Sequence, residues 1–447
     1  MINTSENHAI RYMTIRELGE MPQLRRLPSA RREEMLTVAQ VLPFRVNNYV
    51  VDELIDWARV PDDPMFQLTF PQPEMLSAEQ RALLRATAGD RRELRRAVTE
   101  IRGELNPHPS GQLTHNVPLV DDQPVRGVQH KYAETCLVFP SFGQSCHAFC
   151  TYCFRWAQFV GDRDLKFATD REMNFLDYVR DHEEITDVLF TGGDPMTMRT
   201  DVLRRYVEPL LGAGYEHIET IRFGTKMLSY WPHRVLSDDD SPELLALLER
   251  IAASGKHVAV MAHFSHPREL ETTAVAAAIG AMRDSGAVIR AQAPLVRHVN
   301  DDPAVWATMW RQQVALGVVP YYMFVERDTG PKDYFSVPLA RAAAIHREAT
   351  AQVSGLARSA RGPVMSAHPG KVVVDGTIEI GGRQYFSLRL LQARRADWCG
   401  RPFLAEFDSQ ATWLSDLKPA FGEREFFFDD ELAELDEAAG AVLAAAA

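Results

Sequence analysis

Residues 135–156 read TCLVFPSFGQSCHAFCTYCFRW, and the fold of the chain turns on how this stretch is parsed. Its first part, Thr135 to Phe142, is rich in apolar and aromatic residues and has the length of a buried strand. A loop follows that carries Cys146, Cys150 and Cys153 in the pattern C-x3-C-x2-C. Working outward, further strand-like runs begin at Asp187, Glu219, His257, Val288 and Val318, spaced by about thirty to forty residues, the length of one βα unit. Amphipathic stretches fill the intervals: Arg171 to Val179, Val202 to Leu211, Pro242 to Ala253, Ala274 to Arg283 and Ala304 to Leu316. Pro242 and Pro303 stand where a first helical turn tolerates proline, and Gly214, Gly255, Gly286 and Gly317 stand near helix ends. Six strand-helix units imply an α/β fold with a parallel sheet, here a partial (β/α)6 barrel over residues 126–335. Ligands then belong at the C-terminal edge of the strands, where the cysteine loop begins.

On the N-terminal side, residues 1–125 are rich in Arg, Glu and Leu and read as a helical region, with Ala78 to Glu104 as its clearest stretch. Its arginines alternate with acids and aliphatics, the pattern of a solvated helix face. The proline-rich segment NPHPSGQLTHNVPLVDDQPVRG (106–127) separates it from the barrel. Residues 336–447 form a C-terminal extension with one helix from Pro338 to Val353, shorter strands after it, and an alanine-rich end.

The chain of 447 residues has a formal charge of −12, which argues against nucleic acid as a partner and for small-molecule chemistry. No window has the apolar length of a membrane span, and the N-terminus lacks a signal-peptide pattern, so a cytoplasmic enzyme is expected. Five cysteines in so long a chain are too few for a disulfide framework, and three of them lie in one loop.

Three thiolates at this spacing can hold a [4Fe-4S] cluster by three irons and leave the fourth open to a ligand. A zinc site completed by His147 is the competing reading, although zinc usually brings a second ligand pair at defined spacing. Thr191-Gly192-Gly193-Asp194-Pro195 follows the second strand, and paired glycines there let backbone approach a ligand. The cysteine motif together with this segment resembles the radical S-adenosylmethionine (SAM) superfamily. That resemblance implies that SAM binds the open iron and is split to a 5′-deoxyadenosyl radical, with Gly192, Gly193 and Asp194 near its amino group. It also implies an electron donor such as flavodoxin or ferredoxin.

A narrower resemblance rests on several stretches in order: HKYAETCLVF (130–139), CFRW (153–156), TGGDPM (191–196), MAHFSHP (261–267), AQAPLVRHVND (291–301), PYYMF (320–324) and AHPGK (367–371). They are similar to the lysine 2,3-aminomutase family, which rearranges α-amino acids with SAM, the cluster and pyridoxal phosphate (PLP). The resemblance places Arg155 on the substrate carboxylate, His263 and Gln292 near SAM, Lys371 as the lysine that carries PLP, and Lys131 at the PLP phosphate. A second family arginine at the phosphate is Thr135 here, a family tyrosine at the pyridine ring is Phe324, and the glycine run before Lys371 is short. At the distal end of the substrate, where lysine enzymes place two aspartates, ungapped alignment gives Arg327 and Ser366. A cation and a hydroxyl there favour an acidic or neutral side chain, such as that of glutamate, over an ammonium. A one-residue shift would instead bring in Asp328, and an ion pair of Arg327 with Glu326 or Asp328 is the structural alternative.

The function expected is a 2,3-aminomutase acting on an amino acid other than lysine, in a chain able to form homo-oligomers. The alternative is a PLP-independent radical SAM epimerase, dehydratase or lyase, for which Cys136 and Cys399 are the only spare thiols.

Overall fold

The computed structural model describes residues 9–445 except 110–111, 113–114, 122, 163–164 and 170–171, so Arg171 and both chain ends fall outside the described residues. An eleven-stranded sheet runs in sequence order from β1 (Val128–Tyr132) through β2 (Thr135–Val138), β3 (Asp187–Phe190), β4 (Thr220–Thr225), β5 (His257–His263), β6 (Val288–Leu295) and β7 (Val319–Val325) to β8 (Arg361–Ser366), β9 (Gly370–Ile380), β10 (Arg383–Ala393) and β11 (Pro402–Glu406). Strands β2 to β8 are parallel, while β1 and β9 to β11 pair antiparallel to their neighbours. The crossovers are α1 (Glu172–Arg180), α2 (Thr200–Val207), α3 (Ser241–Ala253), α4 (Thr273–Asp284), α5 (Pro303–Ala315) and α6 (Leu339–Ala351).

Local sequence explains these elements. Asp302 caps α5 by accepting from the Ala304 amide at 2.7 Å, with Pro303 in the first turn, where its missing N–H costs nothing. Gly255, Gly286 and Gly317 follow α3, α4 and α5 at φ of 86°, 85° and 76°, the left-handed region that ends a helix. Alternate strand residues such as Val188, Phe190, Ile221, Phe223, Val258 and Val260 are buried in the main hydrophobic core. Their neighbours Leu189, Arg222, Met261, Tyr322 and Phe324 face a cavity on the other side, as the two-residue period of a strand requires.

The structure adds a seventh parallel strand, β8, and shows that the sheet continues past residue 335 without a break. The extension therefore brings Ser366 and Lys371 to the same sheet, directly opposite each other on β8 and β9. Helix α7 (Asp429–Ala445) closes the described chain.

The N-terminal region is helical, with helices at Ser29–Val38, Pro64–Thr69, Ala78–Thr87 and Arg91–Glu104. Its apolar residues belong to the same hydrophobic core as the parallel strands β2 to β7. It also braces the cysteine loop: the Arg45 carbonyl accepts from the Phe149 amide and the Leu68 carbonyl from the Thr151 amide, at 2.8 and 2.9 Å. Buried Asn47 donates to the carbonyls of His147 and Tyr230 at 3.0 and 2.9 Å.

Candidate active site

One cavity of about 290 Å³ opens at the C-terminal edge of the parallel strands and takes side chains from β1 through β10. Of the residues singled out in the sequence, Lys131, Arg155, His263, Gln292, Arg327, Ser366 and Lys371 all line it. Gly192, Gly193, Asp194 and the three motif cysteines are not among its lining residues.

The cysteines lie to one side. Burial raises all three thiol pKa values, and Cys146 is raised further by Asp194 and then by the fields of Cys153 and Cys150. The three sulfurs are thus electrostatic neighbours on a loop pinned by backbone bonds. Among the described residues no group of His, Cys, Asp and Glu gathers around a single ion. A cubane spreads its thiolates farther apart than one ion does, and three half-buried neighbouring thiols fit such a cluster. The glycine pair serves this loop directly: Gly192, at φ 128°, has no room for a Cβ against the Gln144 side chain, nor Gly193 against the Ser145 backbone. Asp194 is buried and satisfied by the Thr225 hydroxyl and the Met196 and Lys226 amides at 2.7 to 2.9 Å. Its carboxylate ties the turn after β3 to the turn after β4.

Between the cysteine loop and the cavity stands Tyr152, whose hydroxyl lies 3.0 Å from His263 Nε2 and 2.9 Å from Ser265 Oγ. Burial, reinforced by Lys226, holds His263 well below the usual imidazole range, so it is neutral. Gln292 sits beside it in register on β6. Neutral hydrogen-bonding groups next to the cysteine loop fit SAM.

The far side is cationic. Lys371 Nζ donates to Gln392 Oε1 at 2.5 Å and lies 5.4 and 5.2 Å from the ring centroids of Tyr132 and Tyr322. Burial, then the charges of Arg222 and Arg361, push its pKa down to about 7. Lys131 donates to the Ala367 carbonyl, and burial, then Arg394, Arg327 and Lys371, hold its pKa well below the usual lysine range. A partly deprotonated amine beside aromatic rings, with a second lysine near it, fits a carbonyl cofactor bearing a phosphate.

Arg155 and Arg327 share one ring: their guanidinium carbons lie 4.8 and 4.9 Å from the centroid of Phe154. Arg327 donates to the Ser366 carbonyl at 2.7 Å, and its Nε is buried without a partner. Among the described residues neither arginine makes an ion pair, so the pairing of Arg327 with Glu326 or Asp328 is absent there. Burial raises the Glu326 carboxyl well above the carboxylate range, leaving it neutral in the cavity wall. Asp328 is outside the lining, and its carbonyl accepts from Asn106 at 2.8 Å. Arg222, also in the wall, is neutralised by Asp187, with Nε to Oδ1 at 2.7 Å.

Cys136 is fully buried on the opposite face of β2 and Cys399 is exposed, and neither lines the cavity. Sequence reasoning missed Tyr152, Gln392 and Tyr132. Tyr152 lay inside the cysteine motif and could have been flagged, whereas nothing local marks Gln392, which reaches the cavity only through the register of β9 with β10.

A cavity beside a loop of three thiols, with two lysines in its far wall, at the C-terminal edge of a parallel sheet, is the site of an α/β enzyme. No family profile matches the chain. It is 30% identical over 398 residues, 89% of its own length and 93% of the relative's, to a provisionally named L-lysine 2,3-aminomutase of Aquifex aeolicus. Identity is 29% over 203 residues, 45% of each chain, with the L-lysine 2,3-aminomutase of Clostridium subterminale. It is 26% over 215 residues with the glutamate 2,3-aminomutase of Clostridioides difficile, covering 48% of this chain and 47% of that one. A radical SAM methyltransferase from Sphaerobacter thermophilus aligns with TM-score 0.36 and 16% identity over 50% of this chain and 66% of that one, too distant a likeness to bear on function. The chain belongs to the lysine 2,3-aminomutase family. Among the described residues no helix is long and apolar enough to cross a membrane.

Proposed function

We propose that the protein is a radical SAM 2,3-aminomutase whose substrate is a free amino acid with an acidic side chain, glutamate-like in having two carboxylates. The observation that carries this reading is the Arg155–Arg327 pair, two half-buried guanidiniums on one phenyl ring without a paired carboxylate among the described residues. Burial and then the charge of Arg327 bring Arg155 down to about 9, while burial lowers Arg327 against the opposing pull of Asp328, Tyr132 and Glu326. Arriving carboxylates relieve that repulsion through charge-assisted bonds, whereas an ammonium at Arg327 would add to it.

In this reading the sheet forms a partial (β/α)6 barrel around the cavity, with residues 1–125 as a helical brace and 336–447 as an extension that supplies Lys371. Cys146, Cys150 and Cys153 hold the cluster, Gly192, Gly193 and Asp194 shape the turn on which SAM rests, and His263 and Gln292 flank it. Lys371, Lys131 and the aromatic wall receive PLP. When bound, cluster and SAM supply a radical that abstracts hydrogen, and PLP supplies a π-system across which nitrogen migrates. Arg155 orients the α-carboxylate, Arg327 the distal one. The Lys371 amine, near half neutral at physiological pH, is ready to attack a carbonyl carbon and afterwards to take back or give up a proton at Nζ. The reducing electron comes from an external donor of the flavodoxin or ferredoxin kind.

The test is anaerobic incubation of cluster-loaded protein with SAM, PLP, dithionite and single amino acids, with β-amino acids read by mass spectrometry. Conversion of glutamate or another acidic amino acid, with lysine left unchanged, is expected. Turnover of lysine without turnover of acids would overturn the substrate assignment. SAM cleavage without any β-amino acid, and no borohydride-fixed pyridoxyl group on Lys371, would favour a PLP-independent radical enzyme.

A further inference from the structure

Tyr230 ends the short helix Met227–Tyr230 that follows β4, and it is 1% exposed. Its hydroxyl oxygen lies 3.2 Å from Cys150 Sγ, the one hydrogen-bond partner it has among the described residues. The residue is held at both ends. Its backbone carbonyl accepts from Asn47 Nδ2 at 2.9 Å, and the Lys226 ammonium stands 4.7 Å from the centroid of its ring. Lys226 is in turn fixed by Glu269 at 2.5 Å, and the fully buried Glu269 also accepts from the Ser229 hydroxyl and from the Ser265 and His266 amides. Neither Lys226, Glu269 nor Tyr230 lines the cavity. The neighbouring Tyr152 hydroxyl bonds His263 and Ser265 and also reaches the Cys150 thiol, as the weaker of the two tyrosine contacts to it.

Resting on the reading of Cys150 as a cluster ligand, we infer that Tyr230 is a tuning residue of the iron–sulfur centre: its hydroxyl donates to the Cys150 sulfur and makes the cluster easier to reduce. The direction of the bond follows from chemistry, because an iron-bound thiolate has no proton to give, while a phenol keeps its own until about pH 10. Reduction adds negative charge that the cysteine sulfurs share. A donor aimed at one of them therefore stabilises the reduced state more than the oxidised one, which raises the potential. The ammonium over the ring draws electron density from the phenol and strengthens it as a donor. Reductive cleavage of SAM needs an electron from a donor at least as reducing as the cluster, so this one hydroxyl widens the range of donors that suffice.

The experiment is an electrode-mediated redox titration of the anaerobically reconstituted full chain, with the reduced cluster followed by electron paramagnetic resonance, in wild type and Y230F. Expected are equal iron and sulfide contents and about a tenfold lower ratio of reduced to oxidised cluster at a fixed potential in Y230F, which is about 59 mV for a one-electron couple. Full cluster content with an unchanged or higher potential would overturn the inference. If Y230F assembles less cluster, Tyr230→Leu is titrated under the same criterion. Cluster loss in both variants, with the circular dichroism of the chain unaltered, would make the hydroxyl a holder of geometry and likewise overturn it. A wild-type protein that assembles no cluster would instead remove the family-level reading on which the inference stands.

Discussion

At the residue scale, Lys371 and Arg327 give the sharpest expectations. The Lys371 pKa lies near 7 because burial and the cations Arg222 and Arg361 penalise its charge. A depressed lysine pKa means the neutral amine accumulates as pH rises through about 7, where an ordinary lysine would stay protonated to about 10.4. Borohydride trapping of PLP at Lys371 should therefore rise from pH 6 to pH 8 and level off above it; a rise that continues toward pH 10 would refute the shifted amine. Arg327→Asp should reverse the sign at the distal end of the cavity. We expect kcat/KM for acidic amino acids to fall by at least 100-fold, about 2.7 kcal/mol, as for loss of a hydrogen-bonded charge pair, with basic amino acids gaining. Unchanged preference would show that Arg327 does not face the side chain. Replacing Cys150 by alanine should abolish cluster assembly and SAM cleavage, and a wild-type cleavage rate would defeat the radical SAM chemistry at this motif. These residues were legible in the sequence because each stands in or beside a short motif. The partners that set their properties were not: Gln392 lies 21 residues from Lys371, and Phe154 joins two arginines 172 residues apart only after the sheet has formed.

At the scale of elements, the six strand-helix repeats could be read because apolar runs, capping residues and terminal glycines agree with one another. The extension after residue 335 could not, since its strands after β8 are antiparallel and their alternation is broken by register shifts at Lys371/Val372 and Val374/Gly376. The same limit hid the role of α7. Asp436 on that helix lies 2.8 Å from His368 Nε2 and 3.3 Å from His115 Nδ1. Arg394 completes the clamp by donating to the His368 carbonyl at 2.9 Å and to Asn116 Oδ1 at 2.6 Å. The alanine-rich end thus follows closely on a residue that fastens the His368–Gly370 loop just before Lys371. Burial holds His368 below the usual imidazole range, so its contact with Asp436 is a hydrogen bond from a neutral ring to a carboxylate, and losing it costs about 1 kcal/mol, roughly fivefold in local opening. Asp436→Ala should therefore speed amide hydrogen exchange across residues 367–371 by about that factor while cluster content stays the same. Exchange rates identical to wild type would show that α7 does not secure the loop.

At the scale of the whole molecule, the N-terminal region puts only Gln112 and Asn116 into the cavity wall and otherwise supports the site from outside. Two such supports stand out. Around Asn47 the region carries the cysteine loop, and around Leu105 and Asn106 it accepts the Gly330 amide and the Thr329 hydroxyl beyond β7, next to Arg327. Both attachments use backbone carbonyls and a buried amide, groups that leave no trace in composition or periodicity. Asn47 is the strongest test because one side chain, 0% exposed, joins three segments: it accepts from the Val50 amide at 2.9 Å and donates to His147 and Tyr230. Asn47→Leu keeps the volume but strands one buried amide and two buried carbonyls. At about 1 kcal/mol each, the loss is about 3 kcal/mol, and in a chain of this size it lowers Tm by a few degrees. The larger effect should fall on the cluster, since the loop of Cys146 and Cys150 and the carbonyl of Tyr230 lose their shared anchor together. Iron content per chain should drop well below that of wild type after identical anaerobic reconstitution. Full iron loading with an unaltered Tm would mean that the sheet alone holds the cysteine loop and that the N-terminal region serves some other end.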